Sequence, residues 1–269
     1  VECRSFHNVG VNSMNVYHKE GNDLSGEIYY YQNIPSQFKN FFPRMINHDV
    51  HQNMWFTMEK IDGIVFSNMY LSRELNLNHL ENLLKKLELL HSYTKYSEFN
   101  GTNNDDEDKR NMYCNYLNKL ESRYTEDDYS IYPLSKNIYN DLKKGLISYQ
   151  QQGKGVLGMI HGDPVFTNVM LDKYNNIKMF DIRGKLGTRL SIYGDIFYDY
   201  AKVYQSLIGY DEIMKGVHLN EQYKKVFIEF FEQYIIDKFN MERLKLIKLI
   251  TKSLLFTLLP LHDDMLKCM

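Results

Sequence analysis

Apolar positions recur at helical spacing over most of this chain and at strand-like spacing only in short runs. The clearest helical stripe is Leu80, Leu83, Leu84, Leu87 and Leu90, within residues 77–91. Helices are also predicted over residues 24–33, 112–124, 137–152, 191–208, 221–239 and 242–259. In the 191–208 segment Ile196, Tyr200, Ala201, Tyr204 and Leu207 fall on one side. Strand-like runs lie at 5–9 and 14–19, which read as a hairpin around Gly10, and at 41–46 and 54–59, the last stopping at an Asp62-Gly63 turn. Residues 160–181 read as a loop, a short strand through Val169-Met170-Leu171, a Lys-Tyr-Asn-Asn turn and a returning strand that ends on Asp181. Strands gather at the start and helices follow, so the expected class is α+β.

The polar run NGTNNDDEDKRN at 100–111 has no apolar periodicity and reads as a surface loop. Residues 153–158, GKGVLG, match Gly-x-Gly-x-x-Gly letter for letter. A dinucleotide loop of that form must follow a strand and open a helix. Here it follows a helix and runs into a loop, so it is read as a helix stop and turn. Tyr116, Lys119 and Arg123 share a helix face, read as a solvated one or as cations offered to an anionic acceptor.

The formal net charge of −2 gives no bulk attraction to nucleic acid or anionic membrane. Cys3, Cys114 and Cys268 are odd in number and widely spaced, which supports neither a disulfide framework nor a zinc site and makes a reducing cytoplasm the simplest compartment. No signal peptide is recognisable. The most apolar stretch, 244–261, carries Lys245, Lys248 and Lys252, so an amphipathic helix is expected there and no membrane span. The chain starts on Val1, and a further domain upstream is expected to be missing. Oligomeric state is not legible.

Candidate chemistry concentrates in 160–202. His161-Gly162-Asp163 opens a loop, Asn168 follows five positions after Asp163, and Asp181 ends the return strand, which a hairpin folds back beside Asn168. Two carboxylates and an amide converging on one point suit magnesium-assisted phosphoryl transfer, because Mg²⁺ prefers hard oxygen ligands.

His-Gly-Asp-x-x-x-x-Asn followed by Asp-x-Arg resembles the catalytic core of the aminoglycoside phosphotransferase and choline kinase family. The longer strings HGDPVFTNVML, MFDIRG and GDIFYDYAK are most similar to kinase-like proteins of capsular polysaccharide biosynthesis. The resemblance implies a protein-kinase-like fold with two lobes: a small, reduced β-rich N-lobe over 1–62 and a larger helical C-lobe over 63–269. It implies ATP and Mg²⁺ as cofactors and a small-molecule hydroxyl acceptor, such as a sugar, sugar phosphate or amino alcohol. Asp163 would orient the hydroxyl and take its proton, Asn168 and Asp181 would hold the metal, and His161 would brace the loop. Arg183 would meet a phosphate oxygen or brace the loop. Lys19 would reach the nucleotide phosphates, paired with Glu27, or would be a solvated strand-end lysine. No glycine-rich loop precedes it. Glu59, Lys60 and Ile61 would form the adenine edge. Trp55 is expected in lobe packing. A buried aspartate of the 191–208 helix, Asp199 or alternatively Asp195, would hold the catalytic loop by its backbone. His262 and Asp263 would either reach the acceptor pocket or end a helix. The weak N-lobe signature leaves a pseudokinase, a nucleotide-binding or docking module, as the alternative. A protein kinase is disfavoured, since Asp-Phe-Gly and Ala-Pro-Glu signatures are absent.

Overall fold

Two antiparallel sheets frame the N-terminal third and the segment that carries the candidate chemistry. A computed structural model describes residues 8–11, 16–93, 109 and 111–261. Residues 5–7 and 14–15 of the first hairpin, Cys3, the 100–108 run, His262, Asp263 and Cys268 lie outside the described residues.

The first sheet has the order β1-β2-β4-β3, from β1 (Asn8–Val11), β2 (Val16–Glu20), β3 (Met45–His48) and β4 (Trp55–Glu59). Register pairs Lys19 with Phe56. Helix α1 (Ser25–Asn33) packs on this sheet through aromatic side chains. Tyr31 meets Phe56 at 5.8 Å between ring centroids, and Tyr30 meets Phe42 edge-on at 5.6 Å. Trp55 is half-buried and stacks on His18 across the β2–β4 pair, so it packs within the sheet.

The strand expected at 41–46 is displaced. Residues Ser36–Phe41 form a 3₁₀ helix, and the Phe42 N–H closes it by bonding the Lys39 carbonyl. Pro43 has no N–H, so the ladder cannot begin until Met45. After β4 the chain crosses to β5 (Gly63–Val65), which joins β7 (Val169–Asp172) and β8 (Ile177–Met179) in a three-stranded sheet ordered β5-β7-β8.

The remainder is largely helical: α2 (Phe66–Leu71), α3 (Leu77–His91), α4 (Leu117–Glu126), α5 (Ser135–Gln151), α6 (Ile196–Gln205), α7 (Asp211–Lys215), α8 (Glu221–Lys238) and α9 (Met241–Phe256). Helix α3 opens on an Asn76–His79 capping box and buries the five-leucine stripe. Each buried leucine contributes at most about 1.5–3 kcal/mol. Asn220 and Asn240 cap α8 and α9 by accepting the Tyr223 and Arg243 N–H groups. All ten residues of α6 are buried, and Thr251 of α9 donates to the Ala201 carbonyl against it.

Two predicted helices start later than expected. The first begins at Leu117, and Tyr116 precedes it, buried, with its hydroxyl on Asp195, so Tyr116 is not part of a solvated face. The other begins at Ile196, because residues 193–195 form β11, paired with β6 (Leu157–Met159), and Asp195 caps the helix. Lys185–Leu186 (β9) and Arg189–Leu190 (β10) form a small antiparallel ladder.

Candidate functional site

The loop between β6 and β7 is fixed by buried side chains of α6 and the residue that follows it. Asp199, fully buried on α6, accepts the His161 and Gly162 N–H groups, both at 2.8 Å, and faces His91 Nε2 at 3.0 Å. Ser206 Oγ accepts the Phe166 N–H at 2.9 Å. His161 is buried, and its Nδ1 accepts the Asp163 N–H at 3.1 Å, which puts its ring proton on Nε2. Burial lowers the pKa of this imidazole, against the opposing pull of Asp199, Asp163 and Asp181. Gly162 has φ +88, and a Cβ there would stand 2.5 Å from Arg183 Cβ, so the second position of His-Gly-Asp has no room for a side chain.

The same loop orients the candidate metal donors. Asn168 Nδ2 donates to the Asp163 carbonyl at 2.9 Å, and the Asn168 carbonyl accepts the Phe180 N–H at 3.0 Å, joining the loop to the end of β8. This commits the amide nitrogen and leaves Asn168 Oδ1, which accepts only a long 3.5 Å bond from Thr167 Oγ1, as a hard oxygen. Asp181 lies two residues beyond β8 with φ 61, a left-handed conformation that costs a non-glycine residue about 1–3 kcal/mol.

Asp163 and Asp181 line one cleft of about 170 Å³ with Glu27, Asp23, Arg183 and Lys185. Lys19 is buried behind it, 2.6 Å from Glu27 Oε1 and 2.5 Å from Asp181 Oδ1. The strand-end lysine is therefore not solvated. Burial alone would lower the Lys19 ammonium, but Asp181 and Glu27 outweigh it and hold its pKa at about 12. Burial pushes the Glu27 carboxyl up to about 7, with Asp181 adding to the rise and Lys19 opposing it. Asp23 pairs with Lys185, whose hydrogen bond lowers the Asp23 pKa to about 2. Asp163 Oδ1 stands 3.0 Å from Lys202 Nζ. Each cleft carboxylate thus faces a lysine. The Arg183 guanidinium lies 5.3 Å from the Tyr198 ring, and no carboxylate pairs with it among the described residues.

A second, smaller cavity of about 40 Å³ lies where the chain crosses between sheets. Tyr17, Met58, Glu59, Ile61, Met170 and Phe180 are among its walls. Glu59 is held to Arg44 twice, its N–H donating to the Arg44 carbonyl at 2.9 Å and its Oε1 accepting the Arg44 N–H at 3.0 Å. Ile61 makes no backbone hydrogen bond among the described residues.

Asp199 does what was expected of the buried aspartate, and Asp195 does something else. Asp195 accepts the Tyr116 and Tyr149 hydroxyls and caps α6, and makes no bond to the His161–Gly162 backbone. Sequence reading missed Lys202. The available signal was a lysine inside a segment otherwise apolar enough to be buried.

Among the described residues no three or more His, Cys, Asp or Glu side chains gather to hold a metal unaided. Asn168 and Asp181 fit a partial shell of the kind Mg²⁺ takes, completed by water and phosphate oxygens.

No protein-family model and no curated protein sequence matches the chain. Solved structures do match. An aminoglycoside phosphotransferase, APH(3'')-Id from Streptomyces rimosus, superposes with a TM-score of 0.56 at 12% identity, over 92% of each chain. Its complex with ADP and streptomycin gives 0.52 at 14% identity, over 90% of this chain and 92% of that one. A choline/ethanolamine kinase family protein from Mesorhizobium loti gives 0.54 at 12% identity, over 93% of this chain and 75% of that one. The chain has the two-lobed, protein-kinase-like α+β fold that these phosphotransferases and choline/ethanolamine kinases share.

Proposed function

We propose that the protein is an ATP-dependent phosphotransferase that phosphorylates a hydroxyl of a small molecule: a sugar, sugar phosphate or amino alcohol. The observation that carries this reading is a single cleft faced by Asp163, Asp181 and Glu27, with Lys19 bridging the last two and Asn168 tied to the Asp163 backbone. The nucleotide complexes and acceptors of the structural neighbours point the same way.

In this reading residues 1–62 cover the nucleotide and residues 63–269 carry the catalytic loop. Adenine enters the smaller cavity against Tyr17, Met58, Met170 and Phe180, with the Ile61 N–H free to bond its edge and Glu59 beside it. Lys19, fixed by Glu27, meets the phosphates once Asp181 turns to its metal. Asn168 and Asp181 hold Mg²⁺, which supplies charge compensation to the phosphate oxygens. Asp163 orients the acceptor hydroxyl and takes its proton late in transfer, so positioning matters more than base strength. His161, uncharged and buried, braces Asp163 through its backbone.

Arg183 favours a phosphate-bearing acceptor over a cationic one. Among the described residues it is the cleft cation with no carboxylate of its own, whereas each cleft carboxylate faces a lysine, Lys19 serving both Glu27 and Asp181. The capsule-type sequence resemblance supports a place in surface-glycan metabolism, and the odd, widely spaced cysteines support the cytoplasm. The test is acceptor-dependent ADP release across sugars, sugar phosphates and amino alcohols, with Asp163→Asn and Asp181→Asn as controls. A large drop in turnover that leaves a measurable residual rate is expected in both variants. Full activity in both would overturn the assignment, and nucleotide binding without transfer to any acceptor would make the protein a pseudokinase.

A further inference from the structure

Lys202 is an uncommon residue to bury. It is 3% exposed in a helix whose other nine members are also buried. Taking an ammonium out of water costs several kcal/mol, and a buried ion pair seldom repays that cost in stability. An apolar side chain would serve the packing of α6 better. The charge therefore needs an explanation outside the core.

The geometry supplies one. Lys202 Nζ stands 3.0 Å from Asp163 Oδ1, an ion-pair contact to an oxygen withdrawn from solvent. The Asp163 backbone is pinned at both ends, its N–H on His161 Nδ1 and its carbonyl on Asn168 Nδ2. Its side chain meets Lys202 on Oδ1. The cation Lys202 comes to the candidate base from α6, three residues after Asp199.

We propose that Lys202 is a positioning residue for phosphoryl transfer: it anchors Asp163 Oδ1 so that Oδ2 faces the acceptor hydroxyl. This rests on the function proposed above. In the step it serves, the acceptor O–H proton passes to Oδ2. The new O–P bond forms as the γ-phosphorus separates from the ADP oxygen. Lys202 exchanges no proton. Its charge balances the carboxylate before transfer and the acceptor oxygen's growing negative charge during it.

The test is a double-mutant cycle on steady-state kinetics with Lys202→Met, Asp163→Asn and the pair, using the full chain, Mg-ATP and the best acceptor of the screen. Lys202→Met is expected to lower kcat about 100-fold, the scale of a misplaced general base, with KM for ATP changed by less than about 3-fold. In the Asp163→Asn background the same substitution is expected to cost less than about 3-fold, since residues that act as a unit are not additive. Wild-type kcat in Lys202→Met, or an equal loss in both backgrounds, would overturn the inference while the phosphotransferase assignment stands. Failure of the wild type to phosphorylate any acceptor would overturn the assignment and the inference together. Thermal unfolding of all four proteins separates a folding defect from a kinetic one: a Lys202→Met chain that melts with the wild type yet turns over slowly supports the inference.

Discussion

Asp199→Ala gives the most quantitative test of how the catalytic loop is held. Three donors converge on this carboxylate: the His161 and Gly162 N–H groups at 2.8 Å each and His91 Nε2 at 3.0 Å. Asp199 has 0% exposure, so no water stands ready to replace it. Each buried donor left unpaired costs about 1–3 kcal/mol, which sums to roughly 3–9 kcal/mol before relaxation. The lower half of that range is expected, because the three donors share one site and relax together. Against a total stability of about 5–15 kcal/mol this is severe. Urea unfolding followed by circular dichroism reads it directly. At a slope of about 3 kcal/mol per molar urea, Cm should fall by at least about 1 M. Asp199→Asn keeps one accepting oxygen but turns an amide toward a remaining donor, so about half the loss is expected. A loss below about 1 kcal/mol for Asp199→Ala would show that the donors find other partners, and the account of the loop would be wrong.

Three more expectations follow from the site. Glu27 has a folded pKa of about 7 against 4.5 in the unfolded chain, so its contribution to stability is full below about pH 4.5 and is lost as pH rises through 7; the Tm of wild type minus that of Glu27→Gln should therefore decline from pH 5 to pH 8, and a flat difference would refute the raised value. The pair with Lys19 needs the ionised carboxylate, so KM for ATP should climb as pH falls below about 7 in the wild type and stay level in Glu27→Gln; parallel profiles would count against the pairing. Gly162→Ala combines φ +88 with a contact 2.5 Å from Arg183 Cβ, and should destabilise by about 1–3 kcal/mol with a marked drop in turnover; an unchanged melting temperature and kcat would contradict the geometry.

Long-period features were legible in the sequence. The leucine stripe of α3 and the two C-terminal helices come out where the apolar spacing puts them, since each buries one continuous face. The loop-strand-turn-strand reading of 160–181 also holds, because β7 and β8 are close in sequence and joined by a tight turn. Features decided by distant partners were not legible. Strand β11 exists because β6, more than thirty residues earlier, pairs with it, and no local pattern announces that. The 3₁₀ turn before β3 competes with the strand at the cost of one N–H, and Pro43 decides the outcome. Lys202 escaped because its contact with Asp163 depends on where α6 crosses the loop after β6, which only the folded chain reveals.

Gly26 and Gly184 bring α1 against the segment that follows Asp181. A Cβ on Gly184 would fall 1.8 Å from the Gly26 carbonyl oxygen, and one on Gly26 would fall 2.4 Å from the Arg183 carbonyl oxygen. With main chain seated on main chain there, no compliant side chain lies between the two to absorb shear. Any widening of the cleft must leave this seam closed, and a methyl group on either glycine would wedge it apart.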